Sequence, residues 1–539
     1  MKKITLTLIG LTIGLNLHAQ QVLWSFNLIT NGGGVSHLAT DSSGNVYFSG
    51  ILFPSSTTTY FPGSNGNVSF TNLRTFVVKY NPLGEIKYVS GGFGAAYQSS
   101  SGGFSLDKYG NAFLTGSFGG TCYFGNNSDT IQRTSNSEDI FLVGLDSNGK
   151  AVFFDVQGDS CSDAGLFVTS CPSDELIHIG YETTSCVGDP DDYTYSSFFR
   201  KLDSARNIIW TLTPNTNLFS QKIIPTKDYG FVINGNYHSG STTFNGLTTS
   251  ITLPSPFGFS DAFLVKYSLG GEVLWVNTVS GDYIDFNRGL TVDGNNDIIF
   301  AVESNDTSYY ANVMLLPNGV RTVHLLKLDA SGNYLKHISF NDGYYSHFFW
   351  VTDLTSDKHG NIYVVANIDS TLIIGSDTVV DFGSNTTHAA VSAIIKFDKD
   401  FNYLWSTYIS GVINGGRKIA VTDSIIYVVY GSDGSCYVSA IKNGSSTSTS
   451  INEISSANFH IYPNPSSGKF TIESTEKISS IEILNLLGEK VTQSVIPSGA
   501  SLPAVGREFT IDLSQAPKGI YFVQVLSEGQ STVRKIVLN

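Results

Sequence analysis

Two kinds of apolar run alternate between residues 21 and 442. The first is a strand, a tight turn and a second strand, with Asp-x-x-Gly-Asn or a relic of it at the turn. It reads ATDSSGNVYFSG at 39–50, SLDKYGNAFLTG at 105–116, TVDGNNDIIFAV at 291–302 and TSDKHGNIYVVA at 355–366. Weaker copies lie at 168–180, 225–235 and 420–430. The second kind ends in Lys before a turn and another apolar strand, as in FVVKYNPLGEIKYV at 76–89 and FLVKYSLGGEVLW at 263–275. At 141–154 Gly144 stands in place of that Lys. Short apolar runs bounded by Gly, Asn and Asp read as strands joined by tight turns.

The copies are evenly spaced. From Gly44 to Gly110 is 66 residues, from Gly110 to Gly230 is 120 over two copies, and from Gly230 to Gly360 is 130 over two more. Each unit of about 60–66 residues holds four strands, and four-stranded units repeated around an axis are propeller blades. Seven first elements predict an all-β, seven-bladed β-propeller over 21–442. The last copy lacks its fourth strand. Gln21-Val22-Leu23-Trp24-Ser25-Phe26 reads like that strand, so the N-terminal segment is expected to close the last blade and hide two open edges. Trp24, Trp210, Trp275 and Trp405 would then hold equivalent positions and pack between blades. The pattern D-x-x-G-N-x-Y/F-x-x-G followed by F/L-V-x-K resembles the SBBP-type propeller repeats of exported bacterial proteins.

The ends of the chain carry an address. Lys2 and Lys3 precede an uncharged apolar stretch, Ile4 to Leu17, and Leu17-His18-Ala19 partly matches a small-x-small cleavage site. Residues 1–20 are expected to be a signal peptide, with an N-terminal anchor as the alternative. No later apolar run is long enough to span a bilayer, so the mature chain is expected to have no transmembrane segment. At the other end, Tyr462-Pro463-Asn464-Pro465 with Gly468 forms an entry turn, and Ile481 to Val491 with Asn485 and Gly488 forms a hairpin. Lys518-Gly519-Ile520-Tyr521 opens the penultimate strand, and Lys535 to Asn539 ends the chain. Period-2 alternation there predicts a small Ig-like β-sandwich over 458–539. In that order the three motifs resemble the type A sorting domain of the type IX secretion system of Bacteroidetes. The resemblance implies passage to the cell surface or medium after Sec export. It also implies recognition by the secretion machinery and removal by its sortase, often with attachment to lipopolysaccharide. The Ser/Thr-rich linker at 443–457 is a fitting place for the cut.

Composition narrows the function. Charged residues are 14% of the 539, Gly numbers 54, aromatics are 12% and the net charge is −14. This mix suits an all-β chain rich in turns, and an acidic surface without basic runs speaks against nucleic acid. The five cysteines form no CxxC pair. If Gly165–Ser170 and Leu176–Gly180 make a hairpin, Cys161 and Cys186 fall nearly opposite and form the favoured disulfide; five free thiols are the alternative. No HExxH, GxSxG or P-loop is present, and no cofactor or metal is expected. The Asp-x-x-Gly segments read as turns rather than calcium loops. Gly188-Asp189-Pro190-Asp191-Asp192 is the better cation candidate, with a solvated acidic loop as its alternative.

Topology points to two candidate surfaces. One face of a propeller would gather Tyr97, Asp282, Tyr283, Asp285, Asp342, Tyr344 and Tyr345, where aromatic rings stack and carboxylates orient hydroxyls. The alternative is that several of these rings pack under their own loops. The axis would gather His37, Gly103, Gly289, Asp353 and Arg417. Three functions remain open: a non-catalytic glycan- or protein-binding module, a polysaccharide-active hydrolase or lyase with its site in the funnel, and a structural cell-surface component.

Overall fold

The computed structural model describes residues 21–28, 33–52, 58–94, 97–126, 129–186, 194–214, 219–238, 240–317, 321–341, 350–368, 371–374, 377–381, 391–409, 416–432, 435–443, 459–464, 466–474, 478–484, 490–494, 507–527 and 530–538. Among these residues every named element is a strand. The chain divides into two compact units, 1–444 and 445–539. Residues 1–20 and all but the first residue of the expected linker lie outside the described residues.

The first unit is propeller-like. Its strands pair as antiparallel four-strand meanders: Gly34–Thr40, Val46–Ile51, Leu73–Tyr80 and Ile86–Phe93 make one, and Phe286–Val292, Ile298–Ser304, Thr322–Leu328 and Tyr334–Asn341 make another. The first strand of each meander lies beside the first strand of the next, and Gly416–Val421 returns to Gly34–Thr40. The N-terminal strand Val22–Leu28 pairs antiparallel with Ser435–Lys442, with Ser25 opposite Ser439 and Phe26 opposite Val438. It is thus the outer strand of the sheet that also holds Gly416–Val421 and Ile425–Ser432.

The repeated residues join one meander to the next. In the turn copies, Asp41 Oδ1 accepts the Ser43 and Asn45 N–H groups at 2.9 and 3.0 Å, and Oδ2 accepts the Asn45 amide and the Tyr47 hydroxyl at 2.8 and 3.0 Å. Gly44 closes that turn at φ +80°, a region that favours Gly. These carboxylates are occupied by turn donors, as a turn and not a calcium loop requires. The repeated Lys is buried, and at Lys79, Lys266 and Lys327 it bridges to the neighbouring meander. Lys327 Nζ donates to Asp293 Oδ2 at 2.8 Å and to the Lys399 carbonyl at 3.3 Å. Lys266 reaches the Ala330 carbonyl at 2.7 Å, and Lys79 the Ser147 carbonyl at 3.2 Å.

The tryptophans make the same joint. Trp210 Nε1 donates to the Leu269 carbonyl at 3.2 Å and Trp275 Nε1 to the Ala330 carbonyl at 3.4 Å. Trp24, on the N-terminal strand, donates to the Pro82 carbonyl at 3.1 Å, and Tyr427 OH donates to the Gly44 carbonyl at 2.8 Å. The last meander therefore meets the first through the bonds used at internal joints. Leu28, Val46, Phe76, Tyr427 and Val438 share one core across it. Trp405 differs, because its Nε1 has no hydrogen-bond partner among the described residues.

Extra hairpins stand between second and third strands. Residues 118–126 and 129–139 belong to a long hairpin of Ala112–Asn126 and Asp129–Leu145. Its strand reaches back to the preceding meander, with Gly91 opposite Gly125. Shorter hairpins, Ser308–Tyr310 with Val313–Leu315 and Thr371–Ile374 with Asp377–Asp381, likewise pair with the preceding outer strand. These hairpins also extend the cores, with Phe118 and Phe124, Tyr310 and Leu315, and Leu372 buried among neighbouring apolar side chains. Cys161 and Cys186 are disulfide-bonded, and Gly165 pairs with Gly180 beside them. Cys122, Cys171 and Cys436 are free and buried.

The second unit packs two sheets on one core. Phe459–Tyr462, Lys469–Ser474 and Arg507–Asp512 form one sheet, and Lys490–Ser494, Ile478–Leu484, Gly519–Ser527 and Gln530–Leu538 the other. Phe470 and Ile472 from the first meet Ile483, Tyr521, Val523 and Ile536 from the second. Among the motif residues, Tyr462, Pro463 and Asn464 are exposed at the entry turn. The Gly468 N–H donates to Ser466 Oγ at 3.1 Å, and its carbonyl accepts the Leu513 N–H at 2.6 Å. Tyr521 is buried and its hydroxyl donates to the Pro517 carbonyl at 2.6 Å, just ahead of Gly519. Pro465, Asn485 and Gly488 lie outside the described residues, and Lys535 is described only as backbone of its strand.

Candidate functional site

Two surfaces of the first unit carry chemistry beyond packing. One is an aromatic ridge made by two loops. The segment before Asp261–Ser268 holds Phe257 and Phe259, 74% and 70% exposed, and the loop before Phe286–Val292 holds Tyr283 at 56%. Single open rings are ordinary on a folded surface, but three on adjoining loops mark a candidate contact surface. The Phe259 N–H donates to the Tyr283 carbonyl at 3.3 Å, and Ser260 bridges Ile284 in parallel register. The Phe257 N–H donates to Asp261 Oδ2 at 3.1 Å. Both phenylalanines are therefore held by their backbones while their rings stay in water. Asp282 is exposed next to Tyr283.

The polar floor of this ridge is buried. Asp285, expected on the ligand face, is only 2% exposed, so it anchors the loop instead of meeting a ligand. Its N–H donates to the Ser260 carbonyl at 2.9 Å, and its Oδ1 accepts the Ser308 hydroxyl. Asn236 Nδ2 donates to the Asp285 carbonyl at 2.6 Å. Burial pushes the Asp285 carboxyl up to about 7, against the Ser308 hydrogen bond and helped by Asp261. Burial likewise raises Asp261, although the Phe257 N–H and Tyr237 hydroxyl pull the other way. Of the remaining face residues, Tyr97 is described only as backbone opposite Gly119, and Asp342, Tyr344 and Tyr345 lie outside the described residues. So does the 188–192 acidic loop. Phe257 and Phe259 were missed in sequence because they sit in a loop outside the repeat. The signal was present in PSPFGFSD, two Phe around a Gly where no strand alternation continues.

The second surface is the axis. Each first strand carries a β-bulge at the same place. Val35 pairs with Gly50 and His37 with Ser49, leaving residue 36 unpaired. The same skip precedes Gly103, Phe167, Lys222, Gly289, Asp353 and Lys418. These residues form one register layer. His37, Gly103, Phe167, Lys222, Asp353 and Lys418 line a cavity of about 380 Å³ together with Thr40, Thr355 and Ser356. At Gly103 a Cβ would lie 2.6 Å from the Phe167 backbone, so neighbouring first strands approach closely there. Arg417, expected at the axis, is instead the bulge residue, and its successor Lys418 holds the layer position. A bulge inserts one residue and changes which side chain faces inward.

Lys222 ties this layer together. Its Nζ donates to Asp353 Oδ1 at 3.0 Å and to the Leu354 carbonyl at 3.3 Å. Asp353 Oδ2 accepts the Ile419 N–H at 3.2 Å. Burial raises the Asp353 carboxyl, but Lys222 and Lys418 outweigh it and hold the group below the usual carboxylate range. Burial, with Lys418 and Lys222, pushes His37 down to about 3, so its ring is neutral at pH 7. His37 Nδ1 lies 3.4 Å from Ser49 Oγ. Among the described residues lining the cavity, Asp353 is the one carboxylate and it is ion-paired. That is not the pair of carboxylates that glycoside hydrolysis uses.

Among solved structures, the chain is similar to the WD40 domain of Neurospora crassa Pan2, at 8% identity and a TM-score of 0.42, covering 78% of this chain and 95% of that one. It is also similar to a protein from Lactobacillus plantarum, at 10% identity and a TM-score of 0.37 over 82% and 96% of the two chains. A member of the duf4221 family from Bacteroides vulgatus is similar at 12% identity and 0.30 over 66% and 96%. No curated protein matches the chain. Residues 460–539 match the family described as secretion system C-terminal sorting domain, so this protein ends in a type IX sorting tail and is an exported one.

Proposed function

We propose that residues 21–442 are a seven-bladed β-propeller whose last blade is completed by Val22–Leu28, and that it is an exported, non-catalytic glycan-binding module. Residues 1–20 serve as signal peptide. The Ig-like C-terminal domain, 458–539, delivers the chain to the type IX machinery and is cut away by its sortase within 443–457. The observation that carries the binding role is the ridge of Phe257, Phe259 and Tyr283, with three open rings on backbones pinned to each other and to Asp261. Pinned aromatic rings offer sugar faces a stacking platform at little entropic cost, and exposed Asp282 beside them accepts sugar hydroxyls. The polysaccharide-active reading has less support, because the axial layer offers a single, paired carboxylate.

The test is retention of the secreted protein on insoluble polysaccharides and on a glycan array, for the parent chain and for Phe257→Ala, Phe259→Ala and Tyr283→Ala. Each substitution is expected to weaken binding by about 2- to 10-fold, the worth of one stacked ring. Melting should not change, since the rings are exposed. Equal retention by all four proteins would sink the ridge as the binding surface. Product release by the parent chain would make it an enzyme.

A further inference from the structure

The axial cavity is cationic inside an acidic protein. The chain carries a formal charge of −14, yet two ammonium groups, Lys222 and Lys418, face this cavity against the single carboxylate of Asp353. The neutral His37 adds no charge, so one positive charge is left over. Lys222 is held by Asp353 at 3.0 Å. Lys418 is paired with Val429 through its backbone, and its ammonium group has no hydrogen bond or ion pair among the described residues. An ammonium lining a confined space, with no anion of its own, is a ready partner for one. Low-dielectric walls strengthen its field over that in open water.

We infer that this cavity is a binding site for a small hydroxylated monoanion, an acidic monosaccharide in size and chemistry, with its carboxylate on Lys418 and its hydroxyls on Asp353, Thr40, Thr355 and Ser356. The volume of about 380 Å³ lies at the small end of the roughly 300–1,000 Å³ range of small-molecule sites. The lining is mixed in the way such a ligand needs. Phe104 and Phe167 give an apolar wall, and the hydroxyls of Thr40, Thr355 and Ser356 give neutral polar partners. Lys222 places Asp353 by its ion pair and by its bond to the Leu354 carbonyl, so the acceptor is fixed before a ligand arrives. The site lies on the inner strands, apart from the aromatic ridge, and does not depend on that surface binding anything.

The experiment is calorimetric titration of the full chain with glucuronate, with glucose and inorganic sulfate as comparison ligands. Glucuronate is expected to bind, more weakly as salt rises, and glucose to give no heat. Lys418→Gln should weaken glucuronate by roughly tenfold or more, the loss of one charge-assisted hydrogen bond. Asp353→Asn keeps an acceptor for the Ile419 N–H and removes the competing negative charge, so it should bind glucuronate more tightly than the parent. That gain cannot come from a damaged fold. Equal binding of glucose and glucuronate, sulfate binding without glucuronate, an unchanged constant in Lys418→Gln, or no heat from any ligand would each overturn the inference.

Discussion

Asp285 offers a measurement that isolates what one buried carboxyl adds to the pH response of the first unit. It is 2% exposed, and burial raises it from 3.8 to about 7. The sign follows from linkage. A group whose folded-state pKa lies above its unfolded value favours the fold below the unfolded pKa, and that contribution is lost as pH rises through the folded pKa. Between pH 4 and 7 the unfolded chain is ionised here and the folded chain is not. Stability should therefore fall by about 1.4 kcal/mol per pH unit from this group alone, roughly 4 kcal/mol in all, and level off above pH 7.

Asp285→Asn keeps the shape and an acceptor for Ser308 and removes the charge. The gap in unfolding free energy, variant minus parent, should thus be small near pH 4, grow by about 1.4 kcal/mol per unit, and flatten above pH 7. All five tryptophans, at 24, 210, 275, 350 and 405, lie in the first unit, so denaturant titrations followed by tryptophan fluorescence report that unit. Taking the difference between two proteins cancels the titration of every group that Asp285 does not touch. A gap that stays constant from pH 4 to 8 would refute the reasoning. A gap of the opposite slope would mean that the carboxylate is stabilised where it sits.

Three further outcomes are expected. Trp24→Ala removes a ring stacked on Phe26 at 5.0 Å and Tyr80 at 5.7 Å and should cost about 2–3 kcal/mol, as a half-buried ring would; an unchanged melting temperature would argue against closure by the N-terminal strand. Lys327→Met leaves Asp293, with its carboxylate fully buried, without the ammonium 2.8 Å away and should cost about 3–5 kcal/mol in thermal unfolding. Truncation after Ala457 should leave the chain in the periplasm on cell fractionation, because the matched residues 460–539 are gone; normal surface delivery would contradict the sorting role.

Much of the architecture was legible because the repeat is written in residues that do structural work. The turn Asp and the turn Gly close the same kind of turn in successive copies, and Lys79, Lys266 and Lys327 each reach a carbonyl of the next meander. A period in the sequence thus translated directly into a period in space. The C-terminal tail was legible for the same reason: Gly468 and Tyr521 make local bonds that fix a turn and a strand entry. The extra hairpins were less so. Residues 118–126 and 129–139 mix Gly, Ser and Thr with Phe and Ile in no steady alternation, and it is their pairing with each other and with Ile86–Phe93 that shows them to be sheet.

The axial layer shows where reading by count fails and why. Matching turns places His37 and Asp353 correctly, since both follow the bulge by one residue. The same matching chooses Arg417 over Lys418 and passes over Lys222, because an unpaired residue shifts inward-facing positions by one and no sequence pattern marks where it sits. The consequence is chemical. An arginine at the axis beside a lone carboxylate reads as part of a catalytic set, whereas two lysines, one neutralised by Asp353 and one not, read as a place for an anion. The ridge errs in the opposite direction. Asp285 has the chemistry of a ligand contact and the burial of an anchor, while Phe257 and Phe259 have the chemistry of core and the exposure of a contact. In a fold built from repeated joints, the residues that break the repeat's own rules, a lysine without an ion pair at the axis and bare rings on a pinned loop, are the ones free to serve a ligand.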